Sequence, residues 1–559
     1  MNKKRDLISL ALAVIILILL NFVGSFVFHR FDLTSEKRYT LSDASKKLLS
    51  QLNDAVYVKV YLEGEFPAGF KRLRNETKEM LDEFRAYSND NIEYQFINPS
   101  ENSDKKQQQE VYKQLYNKGL QPTNLEVKGE NGTSQQIIFP GAIVSYKGHE
   151  TPWQLLKTQL GQSSEGQLNN SIQALEYEFA SCIRKLTTVI KPEIGFIEGQ
   201  GELDTLALQD IRNSLSEFYL LKRVKINAQL KALDGLKAII VAKPDTAFSE
   251  KDKFIIDQFV MKGGKVLWAV DPLYTSIDSL RKSGGTMAMP YDLKLEDMFF
   301  KYGVRINPNM LMDLQSSAIP VNKAFSGQPP RFELMPWLFS PLIMPTSSHP
   351  IVKNLEVIKV EFASSIDTVE ANGIKKSILL SSSKYSKKIN APVRVDLRIV
   401  NMRPDENQFS DSYQPVAVLL EGEFESVFKN RIPPKIANDS AISFKDKGVN
   451  TKMIIISDGD IIRNEVQYSA RKSYPLGYDI YTKQTYGNKN FILNCINYLC
   501  DDSGLISIRA RELTLRLLDK KKVKSERLKW QLINTVMPLL AILLFGLIYT
   551  AVRKRKYAK

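Results

Sequence analysis

A chain of 559 residues is too long for one ordinary domain and calls for two or three. Its apolar share of 43% and charged share of 25% are those of a globular protein, which excludes a disordered or low-complexity chain. The net charge of +15 would point to nucleic acid if it were gathered on a folded face, but much of it flanks apolar segments; three scattered histidines exclude most zinc-site spacings, and three cysteines without a CxxC pair give no disulfide framework.

In chain order, the first feature is the apolar stretch Leu7 to Phe28, long enough to cross a hydrocarbon core of about 30 Å as a helix. Lys3, Lys4 and Arg5 precede it and keep residues 1–6 in the cytoplasm by the positive-inside rule. A cleaved signal peptide is the competing reading, with Val23 and Ser25 as small residues before a cut, but the run exceeds an ordinary h-region.

Residues 29–190 form the first external domain. Ser42 is a candidate N-cap for a short helix carrying Leu48, Leu49 and Leu52. Ala55 to Leu62 alternates as a strand, Lys71 to Tyr87 carries an apolar stripe of Leu73, Met80, Leu81 and Phe84, and Ile92 to Ile97 is a second strand. Strand, helix, strand of this length resembles the start of a thioredoxin-like layer. The turn where a redox enzyme keeps cysteines reads Glu63-Gly64-Glu65-Phe66-Pro67, so no redox activity is expected. A polar helix at Gln107 to Lys118, strands in "QPTNLEVKG" and "QQIIFPGAIVSYKG", and a helix from Leu168 to Leu186 complete it; Lys191-Pro192 marks the boundary.

From 191 to 504 strands and helices alternate: "EIGFIEG", a helix over Thr205 to Phe218, "KRVKI", "KAIIVAKP", then helix, glycine turn and strand through "VLWAVDP". Buried apolar strands in that rhythm predict a doubly wound parallel sheet. The interval of about 301–447 has weaker alternation and many prolines and reads as a β-rich accessory insertion, with "RVDLRIV" and "PVAVLLEGEF" as strands. "KMIIISDGD" and "YGNKNFILNCINYL" then resume the pattern.

Three groups of residues are candidates for chemistry. Glu198, Gly199, Gly201 and Glu202 follow a strand and open a helix, as a dinucleotide loop does, but Asp204 replaces the third glycine; a carboxylate there caps a helix and repels a pyrophosphate. Asp271, Asp458 and Asp460 end strands, where open α/β sheets gather ligands. They read either as Asp-Gly turn chemistry or as an acidic rim that binds a hard cation or a partner. Lys520, Lys521, Lys522, Lys524, Arg527 and Lys529 crowd a juxtamembrane segment, 505–531, before a second span at 532–552 and a basic tail at 553–559. They are candidates for contact with membrane lipid or a partner, against a solvated linker. No Walker A sequence and no GxSxG elbow occurs, so any ATPase is a separate chain and no catalytic residue or cofactor is expected.

"RFDLTSEKRYTL" after the first span, then "GFIEGQGE", "FVMKGGKVLWAVDP", "LLEGEFESVF", "SDGD" and "GNKNFILNCINYL", in that order and between two terminal spans, resemble the gliding-motility-associated ABC transporter auxiliary component family, GldG. The resemblance covers essentially the whole chain. It implies a thioredoxin-like first domain and a non-catalytic, glutamine-amidotransferase-like second one. It further implies a cytoplasmic ATP-binding subunit and a polytopic permease as partners, in gliding bacteria of the Bacteroidota type. The expected protein is thus a non-enzymatic, two-pass subunit of the inner membrane, both termini cytoplasmic and the large domain periplasmic. A periplasmic hydrolase or amidotransferase on the same scaffold, and a structural polysaccharide-binding envelope protein, are the alternatives.

Overall fold

Alternation builds the first sheet. Helix α1 (Asp43–Leu49) starts at Ser42, whose side chain accepts the Ser45 N–H. Strand β1 (Val56–Val60) buries Val56, Val58 and Val60 and exposes the residues between them. Helix α2 (Ala68–Tyr87) crosses to β2 (Ile92–Phe96), parallel to β1. After α3 (Lys105–Asn117), β3 (Gly141–Tyr146) lies antiparallel on the other side of β1 and pairs with β4 (His149–Gln154), giving the order β2-β1-β3-β4. Helix α4 (Ser164–Thr187) is capped by the Ser163 side chain and sets Phe179 between Phe84 and Trp153, ring centroids 4.8 and 4.9 Å away. Into this same core, with Leu41 and Leu49, come Leu505, Ile506 and Ile508 from the far end of the chain, as a 3₁₀ turn over Leu505–Ala510 rather than the strand their alternation suggests.

The structure is a computed structural model that describes residues 10, 12–19, 40–101, 104–129, 132–157, 163–188, 190–275, 280, 284–324, 327–432, 442–510 and 520–557. It divides into two units, Met1–Arg511 and Glu512–Lys559.

The larger sheet of the first unit is made by β5 (Glu193–Glu198), β6 (Leu220–Lys225), β7 (Ala238–Ala242), β8 (Lys265–Ala269), β9 (Ile374–Ser381), β10 (Pro415–Glu425) and β11 (Lys447–Ile456), in the order β9-β10-β11-β8-β7-β5-β6. The five strands from β11 to β6 are parallel and stand in the order 2-1-3-4-5 of a doubly wound sheet. Both faces of the inner strands are covered, which is why β7 and β8 are continuous apolar runs, whereas the edge strand β6 is largely exposed. Ala238, Ile240 and Ala242 face α5 (Gln209–Ser216) and α8 (Asn488–Cys500), while Ile239 and Val241 face α6 (Glu250–Met261).

The interval 301–447 is not a separate insertion throughout. Its strands β9 and β10 extend the main sheet, β10 antiparallel to β11 and β9 antiparallel to β10, and the short strands between 285 and 396 enclose their own core around Trp337 and Phe339. "RVDLRIV" is only half a strand: Val393–Asp396 pairs, then Asp396 caps a 3₁₀ turn over Leu397–Asn401 by accepting the Arg398 N–H.

In the second unit, α9 (Lys520–Tyr557) runs unbroken through Pro538. Among the described residues it is one helix long and apolar enough to cross a membrane, over Lys522–Lys556. At 1.5 Å per residue it rises roughly 57 Å, so a core of about 30 Å leaves helix projecting at its ends. The lysine run forms the first turns of this candidate spanning helix, so the segment expected at 505–531 is helical from Lys520 onward. Of the span expected at Leu7 to Phe28, Leu10 and residues 12–19 are helical and exposed, and the remainder lies outside the described residues.

Candidate functional site

Parallel pairing brings the strand-end aspartates together. Ala269 of β8 stands opposite Ile456 of β11, so Asp271 and Asp458, each two residues further on, emerge side by side. Ala242 of β7 stands opposite Ala269, which puts Lys243 next to them. Its Nζ lies 3.1 Å from Asp271 Oδ2 and 2.5 Å from Asp460 Oδ2, and Arg463 Nε lies 2.7 Å from Asp460 Oδ1. Asp271 accepts the Gly459 N–H; Asp458 accepts those of Asp460, at 2.8 Å, and Glu361, at 3.0 Å. A Cβ on residue 459 would lie 2.6 Å from Lys243 Cγ, so the glycine of "SDGD" is what lets the lysine cross. Lys243 itself adopts a left-handed backbone, φ +55°, a strain the surrounding contacts must hold. The network continues from Arg463 to Glu361 at 3.6 Å, from Glu361 to Lys359 at 2.8 Å, and from Lys359 to Asp479 at 2.8 Å.

This is not the solvent-facing acidic rim expected. Asp458 is fully buried and Asp271 nearly so. Burial pushes the Asp458 carboxyl well above the usual carboxylate range, helped by the neighbouring Asp271 and Asp460. It raises Asp271 too, against the pull of Lys243. For Asp460 burial acts the same way, but Arg463 and Lys243 outweigh it and hold the group low. Lys243 stays charged despite burial because Asp271 and Asp460 face it. An ammonium thus stands where a bound cation would have to sit, and no group of three or more metal-ligating side chains is found among the described residues. The sequence reading singled out the three aspartates and missed Lys243 and Arg463. The signal was there in "KAIIVAKP", a buried strand ending on a lysine, and in Arg463 three residues past Asp460.

The glycine loop is separate from this cluster and closed on itself. Glu198 pairs with Arg223 of β6. Gly199 and Gly201 take positive φ, +125° and +76°. A Cβ on residue 201 would fall 1.5 Å from Asp245 Oδ1, so only glycine fits under that carboxylate. Glu202 turns back to accept the Gln200 N–H at 2.8 Å, filling with its own carboxylate a place where a phosphate would lie. Asp204 accepts the Ala207 N–H at 2.8 Å as a cap. Backbone bonds from Leu203 to Ala242, and from Asp245 and Thr246 to Gln200, stitch the loops after β5 and β7 together. That is the point where strand order reverses and where such sheets bind nucleotides.

Nucleophile candidates are placed elsewhere. Cys495 and Cys500 are buried in α8, and burial raises both thiols, Cys500 to about 12. His349 accepts the Ile351 N–H in a turn and meets Tyr498 edge-on, ring centroids 4.9 Å apart. Lys522, Lys524, Arg527 and Lys529 lie on the first turns of α9, away from either loop in sequence; Lys520 and Lys521 open that helix.

Residues 191–495, more than half of the chain, match the family described as an ABC-type uncharacterized transport system. The chain belongs to that family. Residues 35–145 match a domain of unknown function, DUF7088. An uncharacterized protein of Borreliella burgdorferi is 22% identical over 575 positions, covering 99% of each chain. Among solved structures, the mmIFT52 N-terminal domain aligns at 11% identity and a TM-score of 0.31, over 55% of this chain and 96% of its own. Agreement at that level carries no argument about fold or function.

Proposed function

We propose that this member of the ABC-type transport-system family is a non-enzymatic auxiliary subunit, anchored at both ends, that works with a separate ATP-binding subunit and a polytopic permease. The observation that carries the non-enzymatic part is the closed carboxyl edge of the parallel sheet. Lys243 and Arg463 neutralise the aspartates, and the Gly199–Glu202 loop is sealed by Glu202 and by backbone bonds. The residues at the customary active-site edge are spent on one another. What the family supplies is the transport association; an ATPase must come from another chain because no phosphate loop is built here.

The two-pass arrangement is supported from inside the first unit. Leu41 near its start and Leu505, Ile506 and Ile508 near its end share one core, so the chain enters and leaves through the same lobe, an arrangement that suits two anchors in one membrane. The β2-β1-β3-β4 sheet with α2 and α4 supports the thioredoxin-like reading of the first lobe, and the 2-1-3-4-5 order supports the amidotransferase-like reading of the second. A periplasmic location and a link to gliding motility complete the proposal.

Its test is purification of the full-length, tagged protein from native membranes in mild detergent. Co-elution of a permease and an ATPase in fixed ratio is expected. A chain that elutes alone and turns over an envelope substrate would replace this reading with the hydrolase one.

A further inference from the structure

Beside the ion cluster the second lobe holds a cavity of about 790 Å³, within the range of small-ligand sites. Val270 and Pro272, which follow the carboxyl end of β8, form part of its wall with Leu293, Leu295, Phe299 and Val427. That end of a parallel strand is where open α/β sheets take ligands. The short helix α7 (Glu296–Tyr302) is one side of the cavity, and a satisfied polar frame holds it. Asp297 is paired with the buried Lys253 at 2.7 Å and with Arg431 at 2.9 Å; the Tyr302 hydroxyl donates to Asp257 at 2.9 Å, which also accepts the Val427 N–H at 2.9 Å. The apolar walls are therefore pre-formed, which spares a ligand the cost of ordering them. Phe300, on the same helix, lines the cavity too and is 56% exposed, apolar surface without a protein cover.

The charges at the mouth cancel. Arg431 is joined to Asp297, and Lys301 to Glu425 at 2.8 Å. Arg305 and Glu296 remain, one of each sign, neither with an ion pair among the described residues, and Asp367 stands opposite Arg305 in the strand register. An ion of either sign would lose hydration on entering and meet no opposite excess to offset the loss. An uncharged molecule loses little and gains from the burial of apolar area on both sides of the contact.

We propose that this cavity binds an uncharged, largely apolar small molecule, held by Leu295, Phe299, Phe300 and Val427 rather than by the charges at its mouth. The binding claim stands whether or not the chain works with a transporter, since the cavity does not enter that argument.

The experiment uses the full-length protein in lipid nanodiscs and three quenchers of tryptophan fluorescence that differ only at the head: 8-bromooctan-1-ol, 8-bromooctanoate and 8-bromooctylammonium. Trp268 packs edge-on against Phe299, ring centroids 5.3 Å apart, and so reports on the cavity. Subtracting the signal of Trp268→Phe isolates it and cancels quencher dissolved in the lipid. Saturable quenching by the alcohol is expected, with both ions weaker by roughly tenfold or more. Phe300→Asp, on an exposed wall position, should weaken the alcohol by roughly tenfold, whereas Arg305→Ala and Glu296→Ala should each leave it within about twofold. Should Trp268→Phe fail to fold, photolabelling with 3-azioctanol gives the same comparison, the label mapped by mass spectrometry to 290–308 and displaced by octan-1-ol before octanoate or octylammonium. No saturable Trp268 signal, label confined to other segments, or either ion binding as tightly as the alcohol would overturn the proposal. So would a tenfold loss in Arg305→Ala or Glu296→Ala, which would make a charged contact the anchor.

Discussion

Two aspartates separated by one glycine are held in opposite states. Asp460 lies against Lys243 and Arg463, and its folded pKa is depressed, so its contribution to stability is complete above the ordinary aspartate value of about 3.9 and is lost as pH falls through the folded value. Asp460→Asn breaks a buried pair and should cost about 3–5 kcal/mol near neutrality. The gap to the wild type should hold from about pH 8 to pH 5 and close in stronger acid. Asp458 has the reverse sign: burial raises its folded pKa, so the folded state is penalised above that value and gains stability as pH falls through it. Asp458→Asn loses one acceptor for the backbone N–H groups of Asp460 and Glu361, yet its stability relative to the wild type should improve as pH rises. Thermal unfolding of the full-length protein followed by circular dichroism from about pH 8 down to about pH 3 reads both slopes; parallel profiles for the two variants would refute the assignment. The strand ends were legible because a buried run closed by Asp-Pro or Asp-Gly has few other readings. Lys243 was not, because a lysine at a strand end is ordinary until the neighbouring strands are known.

Elements were legible where one period dominated. Strands β7 and β8 and helix α8 follow from their apolar runs, and Ser42 from its place before Leu48 and Leu49. In 301–447, β10 was legible from "PVAVLLEGEF", but β9 and the place of both strands in the main sheet were not, because they pair antiparallel across long crossovers and their partners are set by the fold rather than by local pattern. Helix α8 makes one direct prediction. Burial raises all three thiols, Cys182 and Cys500 to about 12, but Cys495 and Cys500 face the sheet whereas Cys182 on α4 is partly exposed, so access rather than acidity sets the order. A maleimide added to the folded protein at pH 7 should label Cys182 first and the other two only on unfolding; prompt labelling of Cys495 in the native state would mean that α8 opens. Helix α9 makes another. If α9 spans as proposed, Lys522, Lys524, Arg527 and Lys529 stand on its projecting turns, and replacing all four by glutamine should weaken the preference for anionic over neutral lipid by about 1 kcal/mol per charge at low salt. Lipid exchange into nanodiscs of the two compositions measures it, and an unchanged preference would leave the lysines as a solvated collar.

At the scale of the whole molecule the informative contact is the longest in sequence. Residues 505–510 follow the last helix of the second lobe but complete the core of the first, against α1 and α4. Composition could not show this: the apolar residues are few, and their alternation mimics a strand. The physical consequence is that the first lobe is unfinished without the chain's far end. Leu505, Ile506 and Ile508 are each less than a tenth exposed, and full burial of such a side chain contributes roughly 1.5–3 kcal/mol. Arg509 reinforces the junction, with its guanidinium 5.2 Å from the Tyr177 ring and within 3.3 Å of both Asn494 Oδ1 and the Lys353 carbonyl. A fragment of residues 40–190 should therefore be less stable than the same lobe in the intact chain, by about 5 kcal/mol on this count. In the full-length protein, Ile506→Asp should expose the first lobe to protease near Lys105 while the parallel sheet of the second stays resistant. If instead the isolated fragment unfolds at the same urea concentration as the first lobe of the whole protein, the terminal segment is only laid on the surface. The common entry and exit point would then lose its structural basis, and with it the support that this contact lends to the two-anchor proposal.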